Sequence, residues 1–262
     1  MDSLNTIVDE VLVVMKLRFA DARTWRYVIS AISKIVDEAA YRFKEDGIRL
    51  KAIDPSRIVL VDFIIPRDAL TEYEIEKEEV VGVDMEDLAK ILRRAVKGDE
   101  LELKTLEAGR LAVSFLGRGI RTFIIPSLEV AAEELPELNI QFTVKAKFPP
   151  ATFRDLVKEL EPVGDAIEFI TVKDEQKIIA KTTSDIAEVE IEASIENSAL
   201  LEIEANEDAR AIYSIDYLSD IVSASQAAEE VIFEYGTGIP CKIEYTLPYG
   251  GKLIFYVAPR TE

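Results

Sequence analysis

The sequence contains no histidine, which removes both the commonest general base and the commonest metal ligand. It contains one cysteine, Cys241, so no disulfide can form within the chain, and a reducing compartment is the simplest setting. No apolar run approaches the roughly eighteen residues a membrane helix needs. Residues 1–14 carry Asp2, Asp9 and Glu10 but neither Lys nor Arg, whereas a signal peptide begins with basic residues. Two readings of this extension stand: an extended first strand, or a start placed upstream of Met15. Positive charge is also scarce. Lys and Arg number 31 against 50 Asp and Glu, a net charge of −19 over 262 residues. That balance opposes binding to phosphates unless the cations are gathered on one surface. What is present suits a folded protein: 48% hydrophobic and 31% charged residues, enough for a real core under a well-solvated exterior, in one large or two ordinary domains. The abundance of Glu, Lys and Ile beside so little Cys and Met leans toward a thermophile.

The chain repeats itself. The first half reads as a strand at 17–19, a helix at 24–36 and strands at 39–43, 47–52 and 58–64. The second half begins alike, with a strand at 139–148, a helix at 151–160 and strands at 166–172 and 177–182. Asp37-Glu38-Ala39 answers Gly164-Asp165-Ala166, and the turn Glu45-Asp46-Gly47 answers Lys173-Asp174-Glu175. Asp84 is placed to cap a second helix, and Ser214-Ile215-Asp216 opens its counterpart. Each half closes on a strand pair, 111–115 with 120–125 and 241–247 with 252–257. Apolar spacing supports the helices: Trp25, Val28, Ile29, Ile32, Ile35 and Val36 in the first, and Phe153, Leu156, Val157 and Leu160 in the third. The fold class is α+β: two topologically similar domains of antiparallel sheet with two helices each, the helices packed on one face of a sheet. The expected division is 1–126, an acidic connector at 127–138, and 139–262.

In order and spacing, several stretches resemble the proliferating cell nuclear antigen family of archaeal and eukaryotic sliding clamps. They are Asp46-Gly47-Ile48 followed by Ile53-Asp54, Leu88-Ala89-Lys90-Ile91-Leu92, Leu135-Pro136-Glu137, Val163-Gly164-Asp165-Ala166, Lys242-Ile243-Glu244-Tyr245, Gly250-Gly251-Lys252-Leu253 and Tyr256-Val257-Ala258-Pro259. The resemblance runs from about Met15 to Glu262. It implies a non-enzymatic subunit of a ring that encircles double-stranded DNA without reading its sequence. Three subunits would close it, as a homotrimer or as a heterotrimer with sister clamp subunits, since some archaea carry several clamp paralogues. Implied partners are DNA polymerase, flap endonuclease, ligase and an ATP-dependent clamp loader, inside the cell on the nucleoid. No cofactor and no membrane contact is implied.

The resemblance also assigns residues. Arg23, Arg26, Lys34, Lys90, Arg93, Arg94, Lys97, Arg154 and Lys158 would face DNA from the helices, although an ordinary solvated helix face also carries Lys and Arg. The fourth helix departs from the pattern, with Asp216 and Asp220 and no cation. Ile53, Ile58, Leu60, Val130, Leu135, Pro240, Tyr256, Ala258 and Pro259 would form a pocket for a partner's helical turn; the alternative is ordinary core at the domain seam. Arg118, Ile120, Phe123 and Ile124 would pair with Ile186 and Val189 of a neighbour, since an open apolar edge is a liability unless paired.

Nothing in the sequence spells catalysis. Gly117-Arg118-Gly119 and Gly236-Thr237-Gly238 read as hairpin turns, with no helix following as a phosphate loop requires. Cys241 lies in a strand and reads as a buried structural thiol. The acidic run at 72–79 reads as a solvated surface loop and not a metal site. Two other functions stay open: a specialised checkpoint-type clamp, and an enzyme on a duplicated α+β fold.

Overall fold

The computed structural model describes residues 15–130 and 135–260, so the 1–14 extension and the middle of the connector lie outside the described residues. The first half runs β1 (Met15–Phe19), α1 (Ala22–Ile32), β2 (Glu38–Lys44), β3 (Gly47–Ile53), β4 (Val59–Pro66), β5 (Glu72–Ile75), β6 (Glu79–Asp84), α2 (Met85–Leu92), β7 (Glu100–Leu106), β8 (Arg110–Leu116) and β9 (Ile120–Pro126). The second repeats it: β10 (Val144–Phe148), α3 (Pro150–Leu160), β11 (Ala166–Thr171), β12 (Ile178–Thr183), β13 (Glu188–Ala193), β14 (Glu202–Ala205), β15 (Ala209–Ser214), α4 (Ile215–Ile221), β16 (Glu230–Tyr235), β17 (Cys241–Thr246) and β18 (Lys252–Val257). The correspondence extends to single bonds. The Met85 N–H donates to the Asp37 carbonyl at 2.8 Å, and the Ile215 N–H donates to the Asp165 carbonyl at 3.1 Å, pinning the second helix of each half to the start of the same strand.

Each half splits into a five-stranded and a four-stranded antiparallel sheet. In the first half these are β5-β1-β7-β8-β9 and β4-β3-β2-β6; in the second, β14-β10-β16-β17-β18 and β13-β12-β11-β15. β18 then pairs with β4, from Lys252 opposite Ile64 to Val257 opposite Val59, and fuses two of these into one nine-stranded sheet. Its inner face carries a row of apolar side chains through both halves: Leu50, Phe63, Leu253, Tyr245, Val231 and Phe148 are successive cross-strand partners, and all are buried.

The helices cover that face. Trp25 of α1 stacks on Tyr41 and meets Phe63 edge-on at 5.3 Å, and Phe153 of α3 meets Phe148 at 5.3 Å and Phe233 at 5.8 Å. Aromatic pairs of this kind add roughly 0.5–1.5 kcal/mol beyond the area they bury. Asp84 caps α2 as its sequence position predicts, accepting from the Asp87 N–H at 2.8 Å.

Three details depart from expectation. α1 ends at Ile32, not at 36; Ile35 and Val36 stay buried through turn bonds back to the Ile32 carbonyl, so apolar spacing outlasts the helix. The strand expected at 139–148 is regular only from Val144. The acidic run at 72–79 is not a loop but β5, the first residue of β6 and the turn between them, where Glu72 is held by Lys16 and Arg18 of β1.

Candidate nucleic-acid and partner interfaces

The expected cations lie on the helices or on the turns just beyond them, in unequal states. Arg93 ends α2 as its C-cap, and Arg94 and Lys97 lie on the turn beyond, so only Lys90 of these is helical. Among the described residues, Arg93 and Lys97 have no ion pair. Arg94 sits 5.5 Å over the Phe123 ring, and Arg26 donates to the Ala95 carbonyl at 3.3 Å. Five others are neutralised locally: Arg23 by Asp21 at 2.8 Å, Lys34 by Asp220 at 3.3 Å, Lys90 by Glu86 at 3.0 Å, Arg154 by Asp155 at 2.7 Å and Lys158 by Glu161 at 2.9 Å. Lys158 also donates to the Ser219 hydroxyl, which in turn donates to Glu161. The Ser219 hydroxyl and then Lys158 hold the Glu161 carboxyl below its ordinary range. Asp220 on the acidic fourth helix is therefore not a bare repulsive charge, because Lys34 from the other half answers it.

The expected partner pocket does not form a single cavity. Ile58, Ala258 and Pro259 line one of about 380 Å³ with Ser214, Tyr217 and Arg260, three residues the sequence reading did not include. The loop at its mouth is fixed by Asp54, whose carboxylate accepts from the backbone N–H groups of Ser56, Ile58 and Val59 and from the Tyr217 hydroxyl at 3.3 Å. Ile53, Leu60 and Tyr256 are cross-strand partners on the outer face of the nine-stranded sheet, one row across β3, β4 and β18. Pro240 lies in the turn before β17, where the preceding carbonyl of Ile239 accepts from Tyr213 at 2.8 Å. Val130 is elsewhere, against Gly82 of β6, where a side chain would also strike the Leu128 carbonyl. Leu135 borders a second groove of about 550 Å³ with Arg42, Lys44, Arg49, Lys51 and Glu137. The connector thus starts at the β6 edge and ends over β3. Alternation along β3 could have revealed this groove, since Arg49, Lys51 and Ile53 must share a face.

The expected interface residues fall on two free sheet edges. β9 borders the five-stranded sheet of the first half, and β13 borders the four-stranded sheet of the second. Ile120 is 60% and Ile124 42% exposed, while Phe123 turns inward against Phe115 at 6.0 Å. Ile186 is 95% exposed just before β13, and Val189 is half-buried on it. Arg118 sits in the turn before β9. Cys241 is fully buried in β17, where burial pushes its thiol well up from the ordinary value. Such a thiol is inert, as the sequence reading expects.

A duplicated helix-backed sheet whose helices carry free and paired cations, with recesses beside β3 and beside the end of β18 and with two open edges, is an α+β scaffold suited to engaging macromolecules by its surfaces. Family models agree. Residues 14–116 match the N-terminal domain of proliferating cell nuclear antigen, and residues 134–260 match its C-terminal domain. The chain belongs to the proliferating cell nuclear antigen family. It is 41% identical to DNA polymerase sliding clamp 3 of Aeropyrum pernix over 93% of this chain and 97% of that one, and 37% identical to the DNA polymerase sliding clamp of Thermococcus onnurineus over 93% and 97%. Among solved structures it is similar to a chain of the PCNA2-PCNA3 complex from Sulfolobus tokodaii (TM-score 0.89, 36% identity, 94% of this chain and 100% of that one). It is similar too to PCNA from Thermococcus kodakaraensis (TM-score 0.88, 31% identity, 94% and 100%). The chain is a sliding-clamp subunit, a processivity factor and not an enzyme.

Proposed function

We propose that this subunit closes with two others into a ring around duplex DNA through the edges β9 and β13, and tethers DNA polymerase, flap endonuclease and ligase through the outer face of its nine-stranded sheet. The division 1–126, 127–138 and 139–262 and an intracellular site of action on the nucleoid belong to the same reading; no helix of the described residues is long and apolar enough to cross a membrane. A closed ring turns dissociation of a tethered enzyme into local rebinding, a gain in effective concentration. A clamp loader would have to open it.

The observation that carries this reading is the internal seam. β18 occupies in the second half the place of β9 in the first, and β4 the place of β13. The β18–β4 pair is therefore an intramolecular copy of the pairing that the free edges β9 and β13 can make between subunits. Such a contact is heterologous and closes into a ring if the rotation allows. Transferring the registers of the two halves sets Ile124 opposite Glu188, Phe123 opposite Val189, Thr122 opposite Glu190 and Ile120 opposite Glu192. Phe123 with Val189 makes an apolar row toward the core, and Ile186 falls beside Pro126. DNA would then meet Arg26, Arg93, Arg94 and Lys97 first, with the locally paired Arg23, Lys34, Lys90, Arg154 and Lys158 contributing less, through phosphates and not base edges.

The test is Thr122→Cys with Glu190→Cys in one chain, oxidised and sized beside light scattering of the unmodified protein. A covalent trimer supports both the ring and its register. A trimer by scattering without the cross-link defeats the register. A lone monomer at every concentration leaves a ring only with sister subunits, and failure of those to restore three would defeat the ring.

A further inference from the structure

We propose that the groove between β3 and the end of the connector docks an acidic segment of a partner protein, adjacent to the apolar anchor that the partner places on Ile53, Leu60 and Tyr256. The inference rests on the partner-pocket reading above and extends it to the partner's charge.

A chain of net charge −19 would spread few cations over any one patch, yet Arg42, Lys44, Arg49 and Lys51 line this groove of about 550 Å³ against two acids, Asp46 and Glu137. Strand geometry makes the convergence deliberate. Arg49, Lys51 and Ile53 stand on the same face of β3, successive ones about 7 Å apart. The cationic groove therefore continues directly into the row that joins Ile53, Leu60 and Tyr256. An extended peptide leaving that row along β3 reaches Lys51 within about two residues and Arg49 within about four.

The groove already displays how it holds a carboxylate. Arg49 carries two of them. Asp62 is buried and takes the guanidinium at 2.8 and 2.5 Å, so it stays with the fold. Glu137, from the connector, accepts from the same guanidinium at 2.7 Å and lies 3.4 Å from Lys51 Nζ, but its side chain is 74% exposed. Electrostatics alone keeps it there: Arg49 and then Lys51 hold its carboxyl below the ordinary range. Lys51 Nζ also donates to the carbonyls of Leu135 at 3.3 Å and Pro136 at 2.8 Å, so both cations hold the end of the connector to β3. A carboxylate held by charge and not by packing exchanges with another. Glu137 is the built-in occupant that an incoming Asp or Glu displaces.

The experiment uses the full chain and two fluorescent peptides, both with an apolar and aromatic helical anchor. One continues into Asp and Glu, the other into Asn and Gln. Binding is followed by anisotropy at low and high salt. The acidic peptide should bind about three- to tenfold tighter at low salt, with the advantage shrinking as salt screens exposed pairs. Lys51→Gln should abolish most of that advantage, so that the acidic and neutral peptides bind this variant nearly alike. Glu137→Gln, on an exposed side chain that folding does not need, should tighten the acidic peptide about two- to threefold by removing its competitor. Equal binding of the two peptides, or an advantage that survives Lys51→Gln, overturns the groove while the anchor pocket stands. Binding of neither peptide overturns the pocket reading and the groove with it. Displacement of the acidic peptide by millimolar inorganic phosphate, with no effect of sulfonate-free neutral salt at equal ionic strength, would assign the groove to phosphate and overturn the proposal.

Discussion

The two halves of this chain share one hydrophobic plan and differ in how they use charge. Trp25 of α1 meets Phe19 of β1, and Phe153 of α3 meets Phe148 of β10; the same helix covers the same strand in each. The exposed sides diverge. The first half presents Arg93 and Lys97 without an ion pair, whereas in the second Arg154 and Lys158 are matched by Asp155 and Glu161, and α4 adds Asp216 and Asp220. Burial fixes the fold and leaves solvent-facing charge free to vary, so a duplicated fold can carry an unequal surface. On the proposed reading, a chain with a large net negative charge meets DNA mainly through its first half.

The shared plan is the easiest part to break. Phe153→Ala should cost about 3–5 kcal/mol in urea unfolding, the usual range for emptying a buried aromatic site. Because the nine-stranded sheet joins the halves through β18 and β4, loss of the second should carry the first with it in one transition. Two separated transitions would show that the seam does not couple them.

Acid should act next. Glu161 is held below the ordinary carboxylate range by Ser219 and Lys158. Burial raises the Glu244 carboxyl, but hydrogen bonds from Lys252 and Lys242 prevail and leave it lowered. A carboxylate lowered in the folded state contributes stability that is complete above its ordinary value and is lost as pH falls through the folded one. The urea midpoint should therefore hold flat from neutrality to about pH 5 and fall below about pH 4. Glu161→Gln should flatten that decline by less than about 1 kcal/mol, as for a partly exposed pair. A midpoint that rises on acidification would contradict these assignments.

The smallest effect sharpens the contrast most. Asp220→Asn frees Lys34 and removes an acid from the helical side, and should strengthen duplex binding about two- to threefold at low salt. No change would mean that Lys34 does not face DNA.

Much of this was legible in the sequence. Helical spacing marked the helices, alternation and turns marked the paired strands, and Asp84 declared its cap. The joined sheet was not legible, because β4 and β18 come from opposite halves and nothing local to either names its partner. The pairing of Lys34 with Asp220 escaped for the same reason, so a fourth helix that carries acids and no cation is partly neutralised by the first half. The connector pocket read as one site because the family resemblance set Val130 and Leu135 in the same wall. Val130 instead lies against Gly82 of β6, whereas Leu135 borders the groove beside β3.

The central claim is that DNA contact is carried unequally by the two halves. Its most direct test is the salt dependence of duplex binding for Arg93→Gln with Lys97→Gln against Arg154→Gln with Lys158→Gln. If the account holds, the first pair lowers the slope of log affinity against log salt by about 2 and the second by less than about 1, since each phosphate contact is worth close to one unit. Equal losses from the two pairs, or a larger loss from the second, would contradict it.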